Sequence, residues 1–185
     1  METADNHMQV VFDGWIAHPT FDDFWQAMLP APEDYARLEL PILSITGHFD
    51  DDQPGHMHFV DDFHKYAAPE TRSKFCFIIG PWDHGGTRRP APEHGGLVFG
   101  KTAVIDMIDL HDKWFEWTLK DGPKPEFLRD QVLHYQMGSD EWLSVPALDA
   151  ISSGSRVYYL TSNGKNPEDV YHSGLLQEQG ADDSE

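Results

Sequence analysis

The sequence has only one cysteine, few basic residues and no long apolar run. Cys76 cannot form a disulfide within the chain, and its apolar neighbours predict a buried core residue without chemistry. Lysines and arginines number 13 against 32 aspartates and glutamates, and the net charge of −19 would repel the phosphates of a nucleic acid. No stretch approaches the ~20 apolar residues that a membrane span needs. We therefore expect neither a nucleic-acid nor a membrane partner, and the compartment, cytoplasmic or secreted, stays open.

Aromatic residues, by contrast, are plentiful and predict a folded chain. Phe, Trp and Tyr make up 12% of the 185 residues, and hydrophobic residues make up 39%. Disordered chains are poor in aromatics because they do not bury enough apolar surface to fold. Near the N-terminus, apolar residues from Phe21 to Met28 recur at helical spacing, which predicts a short amphipathic helix capped at Thr20 and ended by Pro30.

The middle of the chain has the pattern of a β-α-β unit. Residues 40–46 are β-favouring and end at Gly47, which predicts a strand buried on both faces. Apolar residues of 57–67 then fall on one helical face, and a second buried strand is predicted over 75–79, ending at Gly80. A strand, a helix and a strand at this spacing predict two parallel neighbouring strands.

The C-terminal third changes character. Residues 104–119 predict a long helix with a wide buried face, followed by Gly122 and Pro123 as its terminators. Strands are predicted over 132–137 and 156–161, separated by turn-rich segments. We place a domain boundary near residue 124, and because two strands make no stable sheet by themselves, we expect the second domain to be cut short.

Two residues that can act together in catalysis follow the two predicted strands. Asp50 comes after the first strand and His84 after the second. Parallel strands bring their carboxyl ends to one edge of a sheet, so an Asp–His hydrogen bond is expected there. Such a pair activates a serine hydroxyl, because the imidazole accepts the hydroxyl proton while the carboxylate fixes the imidazole tautomer.

Five segments carry a resemblance to a known family, and they lie in the family's order: WIAHPTFDDFW, TGHFDDDQPG, IIGPWDHGGTR, LHDKWFEWTLKDGPKP and VLHYQMGSDEW. Over residues 15–161 the chain is similar to the cocaine-esterase and X-Pro dipeptidyl-peptidase family of acyl hydrolases. The resemblance implies part of an α/β-hydrolase parallel sheet with flanking helices, then the first strands of a jelly roll. It assigns 1–35 to the end of a helical cap, 36–123 to the hydrolase domain and 124–185 to a truncated jelly-roll domain.

The resemblance also implies roles for single residues. Asp50 of the T-G-x-x-D motif matches the catalytic acid, and His84 of the G-P-W-x-H motif matches the general base. Independently of the resemblance, Trp82 is a candidate for lining an acyl pocket because it precedes His84. The family's G-x-S-Y-x-G nucleophile elbow is missing, and neither Ser44 nor Ser139 lies between a strand and a helix. We therefore expect a fragment of a serine esterase, amidase, acylase or X-Pro dipeptidyl-peptidase that is inactive by itself, acts in the intact enzyme on a small ester or amide, and needs no cofactor.

Two other functions remain open from the sequence. His48, Asp50 to Asp52, His56 and His58 crowd together as candidate metal ligands, and Asp50, Asp52 and Gly55 fit three positions of an EF-hand loop that Pro54 and Asp61 contradict. A non-catalytic α/β module that binds a ligand or partner is the other alternative. Because strands of the family's sheet are missing, the chain is also expected to form homo-oligomers or to aggregate through exposed sheet edges.

Overall fold

A computed structural model describes residues 3–162, 164, 166, 168–169 and 171–178, with side chains from residue 8 onward. It divides into two compact units, residues 1–146 and 147–185. Within the described ranges, no helix combines the length and the apolar character needed to cross a membrane. The helices are α1 (Thr3–Ala17), α2 (Asp23–Gln26), α3 (Pro32–Ala36), α4 (Gln53–Tyr66), α5 (Pro69–Arg72) and α6 (Met107–Leu119), with 3-10 turns at Glu126–Leu128 and Leu148–Ile151. The strands are β1 (Ile42–Phe49), β2 (Phe75–Asp83), β3 (Glu93–His94), β4 (Leu97–Val98), β5 (Val132–Gln136), β6 (Glu141–Val145), β7 (Tyr159–Ser162) and β8 (Gly174–Gln177).

The first unit is built on a four-stranded sheet in the order β1-β2-β5-β6. Strands β1 and β2 are parallel, with Ile42 opposite Phe75 and Gly47 opposite Gly80. Strand β5 is parallel to β2, whereas β6 returns antiparallel to β5. The predicted β-α-β unit is therefore confirmed as β1-α4-β2 in a mixed α/β fold.

Both faces of β2 are covered by helices, which explains its uninterrupted apolar sequence. Successive residues of a strand point to opposite faces. On one face the rings of Phe75 and Phe63 of α4 lie 4.6 Å apart, and on the other Cys76 belongs to a cluster that includes Leu110 and Trp114 of α6. Burial raises the pKa of the Cys76 thiol to about 11, in agreement with its predicted role as an inert core residue.

Both central strands run further than predicted. Strand β1 continues through Gly47 to Phe49, and β2 continues through Gly80 and Pro81 to Asp83. The register shifts between Gly47 and Phe49, and such an irregularity accommodates a proline that lacks the N–H donor of a regular ladder. The extension carries Asp50 and His84 to the tips of the two strands.

The N-terminal helices differ from the prediction. The predicted amphipathic helix shrinks to the four residues of α2, and its N-cap is Asp22 instead of Thr20. The carboxylate of Asp22 accepts the backbone N–H of Phe24 at 3.1 Å and also lies 2.7 Å from Nδ1 of His18, so it satisfies two partners where Thr20 offers one hydroxyl. Helix α1, which precedes it, was not predicted.

Strands β5 and β6 join the sheet of β1 and β2 although they follow the boundary predicted near residue 124. The strand predicted over 132–137 is confirmed as β5, and β6, which was not predicted, returns through a turn with Gly138 and Asp140 at positive φ. In the second unit, the strand predicted over 156–161 is β7, displaced to Tyr159–Ser162, and β8 pairs with it. Some residues of 163–185 lie outside the described part, and the jelly-roll assignment of 124–185 stays a prediction.

Strand β1 forms one end of the sheet. Its first four residues are only partly buried, in contrast with the prediction of a strand buried on both faces. Among the described residues, no strand pairs with its outer edge. Edge strands of this kind present unpaired backbone N–H and C=O groups.

Candidate functional site

The tips of β1 and β2 bring an aspartate and a histidine together. Asp50 directly follows β1 and His84 directly follows β2, and because the strands are parallel neighbours both residues reach the same edge of the sheet. Nδ1 of His84 lies 3.2 Å from Oδ1 of Asp50. The structure thus joins the two residues that the sequence predicts as acid and base, at hydrogen-bond distance.

Asp50 is held as a buried anion. Its side chain is only 1% exposed. The hydroxyl of Thr46 donates to Oδ2 at 3.2 Å, and the backbone N–H of Asp52 donates to Oδ1 at 3.1 Å. Burial by itself would raise the pKa of Asp50, but the hydrogen bonds from Asp52, His84 and Thr46 together outweigh it and hold the pKa below its ordinary value.

The lowered pKa of Asp50 predicts how acid weakens the fold. Because the unfolded chain takes up this proton more readily than the folded one, the contribution of Asp50 to stability is fully present above its unfolded pKa of about 3.9 and is lost as the pH falls through the lower folded pKa. Asp50→Asn should therefore lower the free energy of unfolding by about 2 kcal/mol at neutral pH, and this difference should shrink below about pH 4. Urea unfolding followed by tryptophan fluorescence measures it. Asp51→Asn, in the same exposed turn, is the control, and a difference that grows on acidification would contradict the assignment.

His84 faces an open cleft of about 740 Å³. Its side chain is 49% exposed, so a substrate can reach the imidazole while the carboxylate behind it stays buried. Apolar residues form one part of the lining, namely Leu43, Ile45, Met107, Ile108 and Phe115. Polar residues form the other part, namely Asp50, Asp52, His56, His84, Thr87, Arg88, His111 and Asp112. An apolar wall beside a few convergent polar groups is typical of a small-molecule site.

Trp82, the predicted pocket residue, does not line this cleft. It is 2% exposed and belongs to the core cluster on the α6 side of the sheet. Its indole N–H donates to the carbonyl of Ala103 at 2.8 Å. Side chains alternate between the two faces along β2, and Trp82 points into the core on the α6 side. The role of Trp82 in this structure is therefore packing.

The candidate metal ligands are only partly brought together. The EF-hand hypothesis is wrong, because α4 begins at Gln53 and the residues that would form the calcium loop are helical. His58 pairs along the helix with Asp62 at 3.5 Å. Ligand atoms of Asp50, Asp52 and His84 do lie within 4.8 Å of one another, a set with the right chemistry for a divalent cation.

Sequence analysis missed two residues that act on the pair. Thr46 had a detectable signal, because it opens the T-G-x-x-D motif four residues before Asp50. The sequence indicates Asp52 only as a metal ligand, yet its Oδ2 lies 3.3 Å from Nδ1 of His84. The sequence carries no signal for that contact, since it depends on the turn between β1 and α4.

The fold is that of a hydrolase-related α/β protein. Over 74% of its length the chain is similar to an aminopeptidase from the marine sediment archaeon Thaumarchaeota archaeon, with 29% identity and a TM-score of 0.59. Over 79% of its length it is similar to a selenomethionine-labelled α-amino acid ester hydrolase, with 23% identity and a TM-score of 0.58, a likeness that shows the fold alone. The chain spans 22% and 24% of these two proteins, about a quarter of their length. No protein-family model and no curated protein matches it.

Proposed function

We propose that this chain is part of a serine acyl hydrolase in which His84 is the general base and Asp50 its orienting acid. The observation that carries the proposal is the 3.2 Å contact between Nδ1 of His84 and the buried carboxylate of Asp50, at the mouth of a cleft. The similar proteins are an aminopeptidase and an ester hydrolase, which supports an ester or amide as the substrate class.

The geometry supports one division of labour during acyl transfer. Neutral His84 takes the proton of a serine hydroxyl as that oxygen attacks the acyl carbon, and it then gives the proton to the leaving alcohol or amine. Water, activated by His84 in the same way, then attacks the acyl-enzyme, and His84 returns the proton to the serine oxygen as the carboxylic acid product leaves. Asp50 stays anionic throughout, because its pKa is held low, and stabilises the imidazolium that forms.

The nucleophile in this proposal comes from outside the 185 residues. The sequence has no G-x-S-x-G, and none of the described residues that line the cleft is a serine. We also propose that residues 124–185 are the start of a jelly roll. Chains are further proposed to associate through the open edge of β1. No cofactor takes part in it.

Ester hydrolysis in the presence of EDTA tests the proposal. The 185-residue chain should hydrolyse p-nitrophenyl butyrate no faster than buffer, with or without EDTA, because positioning by an Asp–His pair does not replace a nucleophile. The gene upstream of Met1 should encode an in-frame G-x-S-Y-x-G elbow, and the longer product should be active in EDTA. Turnover by the 185-residue chain in EDTA would contradict the missing nucleophile. Turnover that EDTA abolishes would favour a cation at Asp50, Asp52 and His84 instead.

A further inference from the structure

Two carboxylates, not one, approach the same nitrogen of His84. Oδ1 of Asp50 lies 3.2 Å from Nδ1, and Oδ2 of Asp52 lies 3.3 Å from it. The two acids differ in exposure, since the side chain of Asp50 is 1% exposed and that of Asp52 is 64% exposed. One acceptor is therefore fixed in the protein interior, and the other reaches the imidazole from the solvent side.

The start of α4 holds Asp52 in this place. Its backbone N–H donates to Oδ1 of Asp50 at 3.1 Å, so the two acids are tied to each other. On the C-terminal side, its carbonyl accepts the N–H of His56 at 3.2 Å in the first turn of the helix. The backbone of Asp52 is thus fixed at both its N–H and its carbonyl, and a short side chain on a fixed backbone has few orientations available.

Protonation of Nδ1 is what the proposed reaction demands of His84. A neutral imidazole accepts a proton at Nε2 only when its hydrogen is on Nδ1. An acceptor at Nδ1 stabilises that tautomer, and a charged acceptor does so more strongly than a neutral one. Two carboxylates at Nδ1 are therefore partly redundant, in the sense that either keeps the hydrogen there when the other is removed.

We propose that Asp52 is a second positioning residue, whose carboxylate shares the Nδ1 hydrogen of His84 with Asp50 and retains it when Asp50 is absent. This inference rests on the proposed function of His84. It assigns Asp52 no contact with substrate.

Nitrogen NMR on the full chain, labelled with ¹⁵N-histidine and kept above the titration range of histidine, tests the proposal. The His84 signal is assigned by its loss in His84→Gln. In the wild type, the Nδ1–H tautomer should dominate, and it should still dominate in Asp50→Ala and in Asp52→Ala. In the double variant Asp50→Ala/Asp52→Ala, the ratio of Nδ1–H to Nε2–H should fall roughly tenfold or more, since both charged acceptors are gone.

The outcomes separate this inference from the proposed function. If the wild type lacks the Nδ1–H tautomer, the Asp50–His84 pair itself is contradicted. If the wild type has it but Asp50→Ala loses it completely, the pair stands and the role of Asp52 is overturned. A double variant that keeps Nδ1–H overturns the role of Asp52 as well, and so does a wild-type spectrum that EDTA changes, because a bound cation would then occupy the carboxylates.

A second measurement covers the case in which Asp50→Ala does not fold. With Asp50 intact, Asp52→Ala should speed the solvent exchange of the Nδ1 hydrogen by roughly tenfold, because one of its two acceptors is lost. Asp51→Ala is the matched control, since Asp51 is an exposed residue of the same type in the same turn. Equal exchange rates in Asp52→Ala and Asp51→Ala would overturn the proposal.

Discussion

Replacing His84 with alanine should lower kcat/KM for ester hydrolysis by about 10⁴-fold or more in a longer protein that carries the proposed serine elbow. The reason is that the serine hydroxyl then has no base, and the buried charge of Asp50 has no imidazole to act on. Because acid and base act as a unit, the double variant Asp50→Ala/His84→Ala should be no worse than His84→Ala, and Asp50→Ala should cost less than His84→Ala, since Asp52 still accepts the Nδ1 hydrogen of His84. Initial rates with p-nitrophenyl butyrate, at substrate concentrations well below KM, measure all three.

His58→Ala is the matched control for the loss of an imidazole. His58 lies on the neighbouring helix α4, its side chain is 60% exposed, and it forms an ion pair with Asp62 of the same helix. Removing it should change the rate by less than about twofold, as expected of a surface substitution. A His84→Ala variant that keeps more than about a tenth of the wild-type rate would remove His84 from the role of general base.

The meeting of Asp50 and His84 could be predicted from the sequence because it depends on topology alone. Once residues 40–46 and 75–79 are identified as parallel neighbouring strands, whatever follows them must meet at the same edge of the sheet. Periodicity and strand composition suffice for that step. The long helix was predicted from the periodicity of its apolar residues and is confirmed as α6. It begins at Met107, because the side chain of Asp106 caps it by accepting the N–H groups of Ile108 and Asp109.

Features that depend on long-range pairing or on one side-chain direction could not be predicted. Gly80 and Pro81 indicated the end of a strand, yet pairing with β1 carries β2 on to Asp83. Beyond the boundary predicted near residue 124, the N–H of Phe77 in β2 donates to the carbonyl of Gln131 at 2.7 Å, and this pairing joins the following strand to the same sheet. The direction of the Trp82 side chain into the core and that of Asp52 toward His84 depend on the folded backbone, which the sequence pattern does not specify.

The close approach of the two strand tips also predicts a large loss of stability from one added methyl group. A Cβ added at Gly47 would overlap the carbonyl oxygen of Trp82 and lie 2.7 Å from the carbonyl carbon of the same residue. The obstacle is backbone, so no side-chain rotation relieves it, and β1 must separate from β2 where the two strands position Asp50 and His84. Gly47→Ala should therefore lower the free energy of unfolding by about 3 kcal/mol or more, a large part of the ~5–15 kcal/mol of an ordinary domain.

Gly55→Ala gives the matched control for that loss. Beyond the adjacent residues and the backbone of its own helix, a Cβ added at Gly55 in α4 meets no heavy atom within 4 Å, and alanine favours a helix over glycine by up to about 1 kcal/mol. Urea unfolding followed by tryptophan fluorescence should give a midpoint well below the wild type for Gly47→Ala and equal to or above it for Gly55→Ala. Since separated strand tips also pull the imidazole away from the carboxylate, Gly47→Ala should weaken the Nδ1–H tautomer of His84 even where the chain stays folded. Equal midpoints for the two variants would mean that β1 and β2 do not approach this closely, and the Asp50–His84 contact would lose its structural basis.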